Sequence, residues 1–182
     1  MTKYLSILAA GLLAATAVVA QDQHGHEATE ASSADAIFAI DTPTFVKLVT
    51  SSNAFEIQSS KLAEQKAQKD DIKEFAKQMV ADHTKAGEEL KAALQKGDAQ
   101  SPAEVKLAPK HAGMLKLLEG AEGADFEMLY LDMQATAHME AVSLFRTYSK
   151  SGDNQAVQQF AEATLPILVT HKQHVMDIVA EQ

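Results

Sequence analysis

The chain has no cysteine and no tryptophan among its 182 residues, and only four prolines, eight glycines and 5% aromatic side chains. Without cysteine there is no disulfide framework, no thiol nucleophile and no thiolate-bound zinc or iron–sulfur centre. Scarce proline and glycine, set beside abundant alanine, favour helix over a turn-rich sandwich. Positive charge is short as well. Sixteen Lys and Arg face 25 Asp and Glu, a formal net charge of −9, which argues against a nucleic-acid binder that works by phosphate neutralisation. What is present is 46% hydrophobic and mostly aliphatic, enough for one domain that buries about 70% of its unfolded surface.

Met1–Ala20, MTKYLSILAAGLLAATAVVA, reads as a signal peptide. Lys3 supplies the positive start, Leu5 to Val19 the apolar run, and Val18-Val19-Ala20 the small-residue cleavage site. The run is about 15 residues, shorter than the ~20 that span a bilayer. Removing it takes away Lys3, its single charge, and makes the chain more acidic by one. The expected location is exported and periplasmic, with no stable membrane insertion after cleavage. An outer-membrane barrel needs alternating segments of ~10 residues, and none follow. Residues 21–42 form a polar lead-in, disordered by composition. Within it, His24 and His26 near a free amino terminus have the nitrogen donors that suit copper or nickel, beside the plainer reading of a solvated tail.

Four long stretches of helical period fill residues 43–182. The first is expected from Pro43 or Thr44 to about Lys69, with Asp41 or Thr42 as N-cap, Pro43 in the first turn, and an inner stripe of Phe45, Leu48, Val49, Ser52, Phe55, Ser59, Leu62 and Ala63. The second runs from Asp70 or Asp71 to Gly97, a C′ candidate, with Ile72, Phe75, Ala76, Met79, Val80, Leu90 and Leu94 inward. The third covers Ala124–Lys150 and the fourth Asn154–Ala180, with Pro166 set to bend the fourth. A short amphipathic segment, Lys110–Glu119, lies between the second and third. The first and third junctions are short and force antiparallel neighbours, whereas the middle connection is long. The fold expected is all-α: two helical hairpins joined by a long crossover with a short extra helix.

Each apolar stripe is interrupted near its middle by a polar residue: Glu56, His83, His138 and His171. At 1.5 Å per residue all four fall within about 6 Å of one level, whichever way each helix runs. One polar group buried without a partner costs about 2–7 kcal/mol, so four at one level must satisfy each other or share a ligand. Three imidazoles and a carboxylate make a donor set for one zinc, copper or iron ion, with Tyr130 and Gln134 placed to orient it. The other reading is a metal-free hydrogen-bonded network of the same groups. Di-iron proteins of this architecture carry Glu three residues before a ligand His. Here those positions are Val80 and Ala135, which argues against two irons. His174 is an alternative ligand that reads more plainly as a surface residue. Asp82 is expected to point outward and His111 to be solvated. Met79, Met133 and Met139 are soft neighbours or gap-filling core.

The segments Phe75-Ala76-Lys77-Gln78-Met79-Val80-Ala81-Asp82-His83, Phe126…Tyr130…Gln134…Ala137-His138 and Leu165-Pro166…His171, together with Glu56-Ile57, resemble domain-of-unknown-function family 4142 over about residues 44–176. Members are exported bacterial proteins, often described as predicted outer membrane proteins. The resemblance implies a ferritin-like four-helix bundle and carries no established activity. Its recurrent positions fall on Glu56, Asp82, His83, Tyr130, Gln134, His138, Pro166 and His171. Glu127 departs from the pattern, which more often has aspartate after the phenylalanine. Three functions are then in view: a periplasmic stress or metal-handling bundle holding one ion, a metal-free structural or interaction protein, and a mononuclear metal enzyme. The last ranks lowest, because no nucleophile or second carboxylate pair accompanies the layer. Protein partners, a second copy of the chain among them, are left open.

Overall fold

A computed structural model describes residues 39–182. The leader Met1–Ala20, most of the lead-in, and His24 and His26 lie outside those residues. Among the described residues five helices follow one another: α1 (Thr42–Lys66), α2 (Asp70–Lys96), α3 (Pro109–Gly120), α4 (Gly123–Ser151) and α5 (Gln155–Ala180). None of these helices is long and apolar enough to cross a membrane. Each long helix packs against two others: α1 against α2 and α4, and α5 against α2 and α4. Helix α3 lies on α1 and α4.

Contacts at the helix ends give the directions. Thr42, at the start of α1, donates its backbone N–H to Asp153 in the α4–α5 turn at 2.9 Å. Asn154, at the start of α5, donates to the carbonyl of Gly97 just past α2 at 2.8 Å. Glu127, near the start of α4, accepts from the backbone of Gln68 and Lys69 in the α1–α2 junction, at 2.6 and 2.9 Å. Packed neighbours therefore run antiparallel, while α2 and α4 share a direction. The connection from Gly97 through α3 has to travel the length of the assembly to join them.

These end contacts also do the capping. Asp41 accepts from Thr44 N–H at 2.9 Å with Pro43 in the first turn of α1, as the sequence suggests. Asn154 caps two helices at once, its Oδ1 accepting from Ala156 and Val157 of α5 and its Nδ2 serving the end of α2. Lys66 donates to the carbonyls of Glu119 and Ala121 at 2.8 and 2.9 Å, holding the end of α3. Helix α1 stops at Lys66 rather than Lys69, because the amides of Gln68 and Lys69 turn to the Glu127 carboxylate, a partner far away in sequence. The left-handed residue after α2 is Asp98 (φ 50°), whereas Gly97 sits at φ −89°. Gly97 is needed for room: a Cβ there would collide with the Asn154 amide. Pro166 is accommodated inside α5, which continues to Ala180.

The apolar core falls into two halves. One gathers Phe55, Ile72, Phe75, Met79, Phe126, Tyr130, Val175 and Ile178; the other gathers Phe45, Val49, Leu90, Leu94, Phe145, Tyr148, Phe160 and Leu168. In α2 the boundary falls between Met79 and Leu90, in α4 between Ala137 and Ala141, and in α5 between Leu168 and Val175. The expected inner stripe of α1 is rotated slightly. Leu48 is 45% exposed, while Val46, Ser51, Glu56 and Ser60 are buried beside Phe45, Val49, Phe55 and Ala63.

Replacing Asn154 with Ala should destabilise the protein by about 1–2 kcal/mol, since one side chain serves two helix ends. Gly97→Ala should also destabilise, but less so in an Asn154→Ala background where the obstructing amide is gone. Urea denaturation of the four-member mutant cycle reads the coupling; strict additivity would contradict the double-capping role.

Candidate metal centre

The gap between the two core halves is filled by the predicted polar residues. Glu56, His83, His138 and His171 are each at least 94% buried. The three histidines come from three helices, α2, α4 and α5, and their ring centroids form a nearly equilateral triangle with sides of 5.6, 5.6 and 5.5 Å. One ring nitrogen of each lies within 4.8 Å of the others, a grouping that could hold a metal ion. Zinc bonds of 2.0–2.1 Å set tetrahedral ligand nitrogens about 3.3 Å apart, so modest ring rotations separate the observed spacing from a coordination shell. Glu56 is not part of that triad. Its Oε1 lies 3.9 Å from His138 Nδ1, beside the cluster.

The hydrogen bonds on the far side of each ring decide what the inner side can do. His83 Nδ1–H donates to Asn53 Oδ1 at 3.0 Å, His138 Nδ1–H to the carbonyl of Gln134 at 2.9 Å, and His171 Nε2–H to Asp82 Oδ2 at 2.9 Å. Each outer partner is an acceptor, so each ring keeps its proton outward. The remaining nitrogens, His83 Nε2, His138 Nε2 and His171 Nδ1, have no hydrogen-bond partner among the described residues. In these tautomers each carries a lone pair, and such outer acceptors fix ring orientation and raise ligand basicity in metal sites.

Electrostatics keep the rings neutral. Burial pushes His83 well below the usual imidazole range, and the neighbouring His138 and His171 add to the shift. His138 is pushed down to about 4, mainly by burial. His171 is lowered by burial too, against the opposing pull of Asp82. Glu56 moves the other way: burial raises its carboxyl to about 8, with the nearby Gln134 amide opposing. Neither carboxyl oxygen of Glu56 has a hydrogen-bond partner among the described residues.

Other sequence-predicted residues fall less centrally. Gln134 accepts the His138 Nδ1–H through its main-chain carbonyl, while its side chain donates to Ser59 Oγ at 2.9 Å. Tyr130 hydroxyl bonds Ser60 at 2.9 Å and packs on Phe75, without a hydrogen bond to any histidine among the described residues. His174 is half-buried with its ring edge-on to Phe75. Met139 is 52% exposed, and Met79 and Met133 belong to one core half.

Two expectations are overturned. His111 is buried rather than solvated: Ser51 Oγ lies 2.7 Å from its Nδ1 and also accepts from Ala108 N–H, while the ring stacks on Phe55 at 5.4 Å. That partner comes from α1, sixty residues earlier, and no local pattern announces it. Asp82 does not simply face outward. Adjacent helical residues lie about 100° apart, so with His83 inward Asp82 faces α5, where it meets His171. Asn53 was absent from the candidates, although it stands one turn before Glu56 on the same face. A Cβ at Gly87 would stand 3.2 Å from Asn53 Nδ2, so this mid-helix glycine leaves room for the amide that orients His83.

The opposing shifts make a signed pH prediction for metal-free protein. Glu56 has a folded value near 8 against an ordinary 4.5. Its stabilising contribution is full below about 4.5 and is lost as pH rises towards 8. His138 is lowered from 6.5 to about 4, so its contribution is present above 6.5 and lost as pH falls through that window. Between pH 5 and 8, Glu56→Gln should therefore gain stability relative to wild type, on the order of 4 kcal/mol at the alkaline end. Urea denaturation with chelator present measures it; parallel pH profiles would contradict the buried, protonated carboxyl.

No curated protein and no solved structure matches the chain. The family model described as "Domain of unknown function (DUF4142)" matches residues 27–178, a span that contains all five helices except the last two residues of α5. The chain belongs to the DUF4142 family.

Proposed function

We propose that this protein is an exported, periplasmic, ferritin-like four-helix bundle that binds one transition metal ion at the centre of its core, in stress or metal handling. The ferritin-like reading is supported by antiparallel hairpins α1–α2 and α4–α5 whose linking segment must run the length of the assembly. The export reading rests on Met1–Ala20 alone. His83, His138 and His171 are the proposed ligands, with Glu56 as a fourth donor or as the charge that balances the ion. Asn53, the Gln134 carbonyl and Asp82 hold the three rings.

One observation carries this reading: three buried imidazoles from three helices each bring a ring nitrogen within 4.8 Å of the others, and each ring gives one N–H away while its other nitrogen has no hydrogen-bond partner among the described residues. The metal-free network fits the same atoms less well. His138 Nδ1, the ring nitrogen 3.9 Å from Glu56 Oε1, has its proton committed to the Gln134 carbonyl, so the carboxyl and the ring do not satisfy each other. A bound cation would use all three lone pairs and would favour the ionised form of Glu56. The ion would be zinc, copper or iron, the metals that imidazole and carboxylate suit.

Protein purified from a periplasmic fraction should contain one such ion per chain by elemental analysis, and chelator should lower its melting temperature. In His83→Ala/His171→Ala the metal content should fall to background and the chelator effect should vanish. Substoichiometric metal that survives the double substitution, or a melting temperature indifferent to chelator, would refute the assignment. The metal-free alternative would then stand, with Glu56→Gln tolerated.

A further inference from the structure

The outer surface of the molecule is uneven. Among the described residues nine large hydrophobic side chains are exposed; six of them lie on α4 and α5 and none on α2. Along α4 the exposed residues Asp125, Met128, Asp132, Met139, Arg146 and Lys150 follow one another at intervals of three, four, seven, seven and four. Spacing of this heptad type keeps them on one stripe of the helix. The stripe borders α5. Met128 and Asp132 share a depression with Val179, and Met176 and Val169, three and ten residues before Val179, are exposed on the same side of α5.

Charge is sorted along the stripe. Asp125 and Asp132 occupy its N-terminal half, Arg146 and Lys150 its C-terminal half, and Met139 stands between them, 52% exposed. None of the four charges has an ion-pair partner among the described residues. Their sum is zero on a chain of net charge −9, so a second copy approaching this face meets no net repulsion from it. A two-fold axis perpendicular to α4 lays one stripe on the other in the opposite direction, and every contact is then made twice. With the axis at Met139, Asp132 of each copy opposes Arg146 of the other, both being seven residues away. Lys150 falls three residues, about 4.5 Å, from the position opposite Asp125, within reach of its flexible four-carbon stem. The stripe is about 37 Å long, and two helices each about 10 Å across make a face of roughly 700 Å². A standard interface takes about 800 Å² from each partner. We propose that the outer α4–α5 face is a homodimer interface, in which two copies of α4 pack antiparallel about Met139 and pair Asp132 of each with Arg146 of the other.

The test is sedimentation velocity on the purified protein, with chelator present so that no bridging metal ion contributes. In the micromolar range the protein should sediment at twice the monomer mass. Met139→Glu, which sets two like charges at the axis, should weaken the dimer at least about tenfold. Asp132→Lys and Arg146→Glu should each weaken it in the same direction. An equimolar mixture of those two variants should recover a dimer, because both cross-pairs within it are again of opposite sign. All three substituted side chains are exposed, and circular dichroism checks the fold of each variant. A monomer at every concentration would overturn the proposal. So would a dimer indifferent to Met139→Glu, or a mixture that stays monomeric.

Discussion

An imidazole buried in hydrocarbon must give its N–H to an acceptor and find a use for its lone pair, and three of them meet at one level of this molecule. The rest of the structure is arranged around that requirement. Two apolar half-cores lie on either side of the layer. A polar layer in mid-core sacrifices hydrophobic burial, and its unpartnered groups add a desolvation cost. Such an arrangement adds little to stability by itself; its value lies in what the converging lone pairs can hold.

The layer depends on accurate registration of four helices, and the end contacts supply it. Asp153 grips the start of α1, Asn154 ties α5 to α2, and Glu127 ties α4 to the α1–α2 junction. Every tie joins elements distant in sequence, so each fixes one helix axially against another. A slide of one residue would move a histidine by 1.5 Å and turn it by about 100°, enough to break the convergence. Orientation is then refined locally. Asn53, the Gln134 carbonyl and Asp82 set each ring's tautomer, and the absence of a side chain at Gly87 makes space for the first of them.

Much of this was legible in the chain. The helix limits are within about three residues of those expected, because strong 3.6-residue periodicity and the Pro43 and Ser151-Gly152-Asp153 signals are local. The depth of Glu56, His83, His138 and His171 also followed, since mid-helix placement gives one level irrespective of direction. What was not legible depends on azimuth and on long-range partners. Helical period places a residue only to within a broad arc, so Glu56 could be put at the right level and still stand beside the triad rather than in it. His111 is buried by Ser51 and Phe55 from another helix, and α1 ends early because of Glu127. Neither effect has a signature within its own segment.

The central claim is that the three inward nitrogens bind one ion together. Zinc titration followed through the imidazole signals of isotopically labelled protein tests it most directly. The account predicts that His83, His138 and His171 shift in concert and saturate at one equivalent, while His111, His174, His24 and His26 do not follow them. Shifts confined to His24 and His26, or none at the central three, would contradict it.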